Sequence, residues 1–312
     1  MILCVTLNSC LDKTLTAPSW KPGDLVRGKS VRNVVGGKGN NVARALKRLG
    51  RTARPLTPLG GPTGEVCRQL LEKTDELDPI VVETQAPTRV ILTVLTEGTT
   101  RQTAFFDPDP EIDATEADAL LNRLEQALAE PGVEALTLSG SSPSPATHGL
   151  YSEMISLAIG RRLPVFLDTY GPALDAIWGF WPTVIQLNRR EAAERLNKAT
   201  VDDDDVFGLL HEWDRRGVIC GVVTDGPEPV FVQYKNQQYV AEPPEIDVVN
   251  PIGSGDSFLA GLVDGWLAKR EPEALIRRAM ACAAANASVW DSGAVEPDLV
   301  ARLEEEILVE AI

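Results

Sequence analysis

The sequence predicts an α/β protein, a doubly wound and mainly parallel sheet with helices on both faces, plus a small β-sheet lid. Three observations carry that prediction. Five apolar runs of strand length, residues 2–7, 135–139, 164–168, 183–187 and 219–224, each lead into helically spaced sequence or a loop before it. Continuous apolar strands separated by helices belong to a parallel sheet covered on both faces. Two early stretches, residues 14–35 and 88–106, read as extended chain with no helix inside them. The composition, 44% apolar and 24% charged over 312 residues, is that of a globular chain able to bury a full core.

Taken in order, residues 2–7 form the first buried strand, and the lid excursions run over about 13–35 and 88–107. Between them, residues 41–49 are a helix: Val42, Ala45, Leu46 and Leu49 share one face, Asn41 stands at the N-cap and Gly50 at C′. In the second excursion, the run from Arg89 and the residues 103–106 predict a hairpin. Asp202 to Asp205 is a solvated helix N-terminus, where acidic side chains meet the positive end of the helix dipole. No linker, repeat or low-complexity tract divides the chain, so residues 1–312 are expected to form a single domain.

Charge narrows the function. With 45 acidic against 30 basic residues the net charge is −15, which argues against a nucleic-acid or anionic-membrane partner. An anionic small substrate stays open, because it needs only a local positive pocket. No signal peptide is visible in the first residues. The five cysteines are scattered and fit buried thiols in a reducing cytoplasm. Two histidines exclude a His-rich metal site and argue against a Ser-His-Asp triad.

Three glycine-rich segments bear on phosphate binding. Residues 23–30 match the pattern GxxxxGK[ST], with Lys29 at the cationic position, but a P-loop needs a strand before it and a helix after it. Pro18 and Pro22 precede this one, and extended chain follows, so a P-loop is rejected. The segment Gly36-Gly37-Lys38-Gly39-Asn40-Asn41 is better placed, because it runs straight into a helix whose free N–H groups favour an anion. The strongest signal is Asn250-Pro-Ile-Gly253-Ser254-Gly255-Asp256, again opening a helix. Successive N–H groups over 253–256 make an anion cradle, and Asp256 beside it suits a general base that activates a hydroxyl for attack on phosphorus. Asn188 and Glu191 at the head of another helix, Thr224 and Gly226 in a turn, and Asp12 after the first strand are each structural when taken alone.

In this order, however, the motifs resemble the PfkB (ribokinase-like) carbohydrate kinases. Those carrying the likeness are Thr6 to Asp12, Gly36 to Ala43, Thr88-Arg89, Ser139 to Pro143, Asn188 to Glu191 and Gly253 to Asp256. Within that family the chain looks like the branch of 1-phosphofructokinase and tagatose-6-phosphate kinase. The resemblance implies a ribokinase-like fold with a β lid and ATP-dependent transfer of the γ-phosphate to a ketohexose phosphate: fructose 1-phosphate, fructose 6-phosphate or tagatose 6-phosphate. It implies Asp256 as catalytic base and Gly253, Ser254 and Gly255 as anion hole. Asp12, Gly37, Lys38, Gly39 and Asn41 would hold the sugar, and Arg89 and Ser141, with Lys38, its phosphate. Asn188, Thr224 and Gly226 would follow the nucleotide, Asn286 would lie near the adenine, and Glu191 would serve Mg²⁺. A monovalent cation such as K⁺ and a homodimer paired through the lid are further expectations, the latter because Val90, Leu92 and Val94 would otherwise be exposed. The alternatives are a kinase of an unphosphorylated sugar or nucleoside, and a sugar-binding or regulatory protein with weak turnover. Gln186-Leu187 stands where the family has Lys-Pro, Pro229 and Asp109 stand where glycine is usual, and each departs from the pattern.

Overall fold

A computed structural model describes residues 1–98 and 102–312. The tip of the expected lid hairpin, residues 99–101, lies outside the described residues.

The main sheet has ten strands. Its parallel part runs, in spatial order, Ile80–Thr84, Ala53–Gly60, Ile2–Val5, Ala135–Ser139, Val165–Asp168, Val184–Asn188 and Cys220–Asp225. Glu228–Tyr234, Gln237–Ala241 and Val309–Ala311 extend it in antiparallel fashion. The five predicted strands are all present, each within two residues of its expected ends, and all lie in the buried centre. The chain builds outward from Ile2–Val5 to one side, then returns to lay Ala135–Ser139 on the other. That reversal is a topological switch point, where the carboxyl ends of neighbouring strands splay apart and leave a crevice. The two faces are covered by separate apolar clusters, one around Val42, Leu46, Phe258 and Leu262, the other around Leu120, Tyr151, Leu167 and Trp213.

The lid is a second sheet of four strands in the order Ser30–Gly36, Cys10–Ala17, Arg89–Thr96, Gln102–Phe106. Its central pair is parallel, Cys10 opposite Arg89, while both outer pairings are antiparallel. The first excursion therefore starts three residues earlier than expected, at Cys10, so Asp12 is a lid residue. Exposure is also redistributed. Val94 is buried and Val90 and Leu92 are half-buried, because this strand lies inside the lid sheet. The apolar side chains that face water are instead Val31, Phe105 and Phe106 on the outer strands.

Residues 23–30 have no helix after them and run into the lid strand that begins at Ser30, and the Lys29 ammonium pairs with Glu97 at the surface. That is a lid turn and not a P-loop. Asp202 caps the helix Asp203–Arg215 as expected. All five cysteines are free and buried, and burial pushes the Cys4, Cys67, Cys220 and Cys282 thiols up to about 12. Among the described residues, no helix is long and apolar enough to cross a membrane.

Candidate active site

The starts of three helices, Lys38–Arg48, Arg189–Arg195 and Ser254–Leu267, meet at the crevice. The helix Ser254–Leu267 begins after Gly253, whose φ of 84° lies in the left-handed region that favours glycine. A Cβ there would also stand 2.7 Å from Ser292. Asp256 is in the first turn and only 5% exposed. The helix Lys38–Arg48 starts after Gly37. Asn41 is therefore not its N-cap: it sits one turn in, with its backbone N–H donating to Gly37 O. That turn aims the side chain across the crevice, where Asn41 Nδ2 donates to Asp256 Oδ2 at 2.7 Å.

Asn41 is itself held. Arg44 Nη1 donates to Asn41 Oδ1 at 2.8 Å and to Ser292 O, while Arg44 Nη2 and Nε donate to Asp75 and Nη2 also to Val35 O. This fixes which end of the amide faces the carboxylate. One guanidinium thus ties together the root of the lid at Val35, the loop beside Gly253 and the partner of Asp256.

Lys38, expected at the sugar and its phosphate, packs beside Gly140, and its ammonium is bonded to acidic groups. Its ammonium donates to Asp168 Oδ1 at 2.8 Å and to Glu191 Oε1 at 3.3 Å, and it sits 5.4 Å from the centre of the Tyr170 ring. Burial works to lower the Lys38 pKa, but Asp168, Glu191 and Asp256 outweigh it and raise it, so the cation is permanent here. Three buried carboxylates around one ammonium leave an excess of negative charge. Burial pushes Asp256 up to about 7; the Asp168 charge pushes the same way, while Lys38 and the Asn41 amide hold it down. Burial likewise raises Glu191 above the usual carboxylate range.

Asn188 and Glu191 form a reciprocal capping box at the head of Arg189–Arg195, the structural role their spacing allows, and Glu191 still reaches Lys38. Thr224 is opposite Asn188 on the next strand, and Gly226 sits in the tight turn between Asp225 and Glu228. Gln186 Nε2 donates to Gly255 O at 2.9 Å and braces the cradle. Asn286 is a correction. It is wholly buried and bonded to Ile252 O, Ser254 Oγ, Ser257 Oγ and Gly293 N, so it supports the turn into the cradle and offers no face to an adenine.

At the lid root, Asp12 lies over Gly36, where a Cβ would come within 2.1 Å of its carboxylate; only glycine permits that approach. Burial raises the Asp12 pKa. Arg89, first residue of its strand, pairs with Asp109 at 2.8 Å, and Asn8 Nδ2 donates to Asp109 Oδ1 at 2.9 Å and to Ser141 Oγ at 3.1 Å. Gly37 and Gly39 bracket Lys38 between this root and the cradle. Sequence reasoning missed Asp168 and Arg44. The available signal for Asp168 was its place at the end of a central strand, level with Ser139.

The arrangement provides a buried carboxylate poised near neutrality beside a helix N-terminus, flanked by acidic groups at a switch point. Comparison with known proteins agrees with that chemistry. Residues 2–298 match the profile of the pfkB family carbohydrate kinases. Escherichia coli phosphofructokinase-2 in complex with fructose-6-phosphate is 26% identical, over 97% of this chain and 98% of that one, with a TM-score of 0.85. The same protein in complex with potassium is 24% identical over the same shares, at a TM-score of 0.88. A carbohydrate kinase from Agrobacterium tumefaciens is 20% identical, covering 100% of this chain and 99% of that one, at a TM-score of 0.75. The chain belongs to the pfkB family of carbohydrate kinases, phosphotransferases whose acceptor is an alcohol group.

Proposed function

We propose that this kinase transfers the γ-phosphoryl group of ATP to a hydroxyl of a ketohexose phosphate: fructose 1-phosphate, fructose 6-phosphate or tagatose 6-phosphate. The observation that carries the reaction is Asp256, buried at a helix start, held by Asn41 and lifted to about 7. A base with that pKa is about half ionised at neutral pH and basic enough to take a proton. In the step proposed, the sugar hydroxyl oxygen bonds to the γ-phosphorus as the bond to the β-phosphate oxygen breaks. ADP leaves, and the hydroxyl proton passes to Asp256. The N–H groups of Gly253, Ser254 and Gly255 stabilise the charge on the transferring group.

The remaining roles follow the same reading. Asp12, Gly37, Gly39 and Asn41 position the sugar, Arg89 and Ser141 receive its phosphate, and Asn188, Thr224 and Gly226 line the nucleotide path. Lys38, bonded to Asp168 and Glu191, orders those carboxylates at the floor of the site. A polyphosphate cannot approach that acidic floor without a counter-cation. Hard oxygen donors from one or two carboxylates, completed by nucleotide phosphates, fit Mg²⁺. Glu191 would serve the ion, and because its Oε1 is bonded to Lys38 and its Oε2 to the Asn188 N–H, the ion would have to take the place of one of them. Potassium is carried as an assay variable. A second copy pairing through the lid is supported by the outward Val31, Phe105 and Phe106, and a monomer at micromolar protein in sedimentation would refute it.

One observation favours a second reading, a kinase of an unphosphorylated sugar: Arg89 is already paired with Asp109. A coupled ADP-release assay over sugars and phosphosugars with Mg-ATP separates the two. The first reading expects kcat/KM highest on a ketohexose phosphate; a free sugar outranking every phosphosugar would overturn it.

A further inference from the structure

We infer that the Asp109 carboxylate occupies the anion slot of Arg89 in the free protein and must yield to a substrate's phosphate, which makes Asp109 a specificity-determining residue. This rests on the assignment of Arg89 to the sugar's phosphate made above.

The slot is built around one oxygen. Asp109 Oδ1 accepts from the Arg89 guanidinium at 2.8 Å and from the Asn8 amide at 2.9 Å, and that same amide reaches Ser141 Oγ. A guanidinium and an amide converging on one anionic oxygen is how a phosphate oxygen would be taken. The two members of the ion pair are not equally fixed. Arg89 is 15% exposed, begins a strand of the lid and is registered against Cys10. Asp109 is 44% exposed and lies in irregular chain between Gln102–Phe106 and the helix Ala114–Leu128. The cation is anchored in the sheet, and the anion is the member free to swing into water.

Asp109 also leaves the slot incompletely filled. Arg89 Nε and Asn8 Oδ1 are both buried, and neither has a partner among the described residues. The first can donate to a further phosphate oxygen, and the second can accept from a sugar hydroxyl. A phosphorylated sugar carries both groups, whereas a carboxylate supplies neither the third oxygen nor the hydroxyl. Buried polar groups left unmatched are a cost that such a ligand removes. Binding is therefore an exchange: phosphate enters, Asp109 leaves, and the residual charge of Asp109 repels the dianion it makes room for. An unphosphorylated sugar bears no such penalty. The strength of the Arg89–Asp109 pair thus sets the ratio between the two substrate classes.

The test is Asp109→Asn, which keeps the shape and an oxygen able to accept from Asn8 but removes the charge. On the best phosphosugar of the panel, KM should fall by about tenfold, while KM for ATP stays within about twofold. Inorganic phosphate, used as a competitive probe against the phosphosugar, should inhibit the variant about tenfold more strongly. Circular dichroism and the unchanged KM for ATP report that the variant is folded. A phosphosugar KM that is unchanged or raised, with no gain in phosphate inhibition, overturns the inference while leaving the kinase reading intact. A wild-type protein that phosphorylates only free sugars overturns both, and that result is visible before any variant is made.

Discussion

Around Asp256 each polar neighbour is gripped by another part of the protein, whereas around Arg89 a single ion pair opens to water. The contrast shows in the hydrogen bonds. Asp256 is held by Asn41, Asn41 by Arg44, and Arg44 by Asp75, Val35 and Ser292, a chain that closes on backbone and a half-buried charge. Arg89 meets Asp109, which is nearly half exposed and carried by irregular chain. The first region is preorganised, so the base is in place before substrate arrives, as chemistry at a reacting centre requires. The second is held by a group that can be exchanged, as suits the part of a site that discriminates among ligands. Chemistry and selectivity are thus separated on two sides of one crevice.

The comparison is broken hardest at the base. Asp256→Asn should lower kcat by about 10² or more, the scale of a lost general base, with nucleotide binding retained by isothermal titration. The wild-type pH profile sharpens the point. Because Asp256 must be ionised and its pKa is raised to about 7, kcat/KM should fall as pH drops below about 7, and the residual activity of Asp256→Asn should lack that limb. Near-native turnover in the variant would remove Asp256 from the mechanism.

At the other region, Arg89→Ala should raise KM for the phosphosugar roughly ten- to a hundredfold, as the loss of one charge-assisted contact implies. KM for ATP should hardly move. A variant that treats the best substrate as the parent does would end the phosphosugar reading.

A smaller effect tests whether preorganisation itself matters. Arg44→Ala frees the Asn41 amide to turn, and kcat should drop by about tenfold. Since the Asn41 bond holds the Asp256 pKa down, its loss should also move the acid limb of the pH profile upward. A loss of activity with the limb unmoved would mean that Arg44 serves folding only. The smallest effect is expected at Lys29→Ala, whose partner Glu97 is as exposed as itself. Activity should stay within about twofold, as for most exposed pairs; a dead variant would revive the rejected P-loop.

What the sequence disclosed divides along similar lines. Five strands of the parallel sheet were legible as runs of apolar residues; Ala53–Gly60, broken by Arg54, Pro55 and Pro58, and Ile80–Thr84 at the sheet edge were not read as strands. The cradle was legible too, since Gly253, Gly255 and Asp256 mark a helix start within a few residues. Asp168 was not. At the end of a strand it looks like punctuation, and its meaning comes from Lys38, far off in sequence. Arg44 was hidden for the same reason: on a helix it reads as a solvated charge until Asp75 and Asn41 are brought around it. Asn286 misled because a resemblance places it near a ligand, while the packing of the 252–254 turn encloses it. Asn41 was read as a cap because the helix was taken to start at the first apolar residue, and Gly37 opens it earlier. Long-range pairs of charge leave no local trace.

The parallel pairing at the centre of the lid has a consequence for how the molecule comes into being. Its strands join residues 10–17 to residues 89–96, and the chain between them contains the helix Lys38–Arg48 and strands of the main sheet. No short hairpin can form that contact, so a long loop must be closed first, at an entropic cost that only a formed core offsets. Neither hairpin alone makes the sheet, so the lid is not one continuous piece of chain. The floor closes longer loops still, since Lys38 meets Asp168 and Asn41 meets Asp256, so lid and floor alike depend on contacts that only the assembled chain can make.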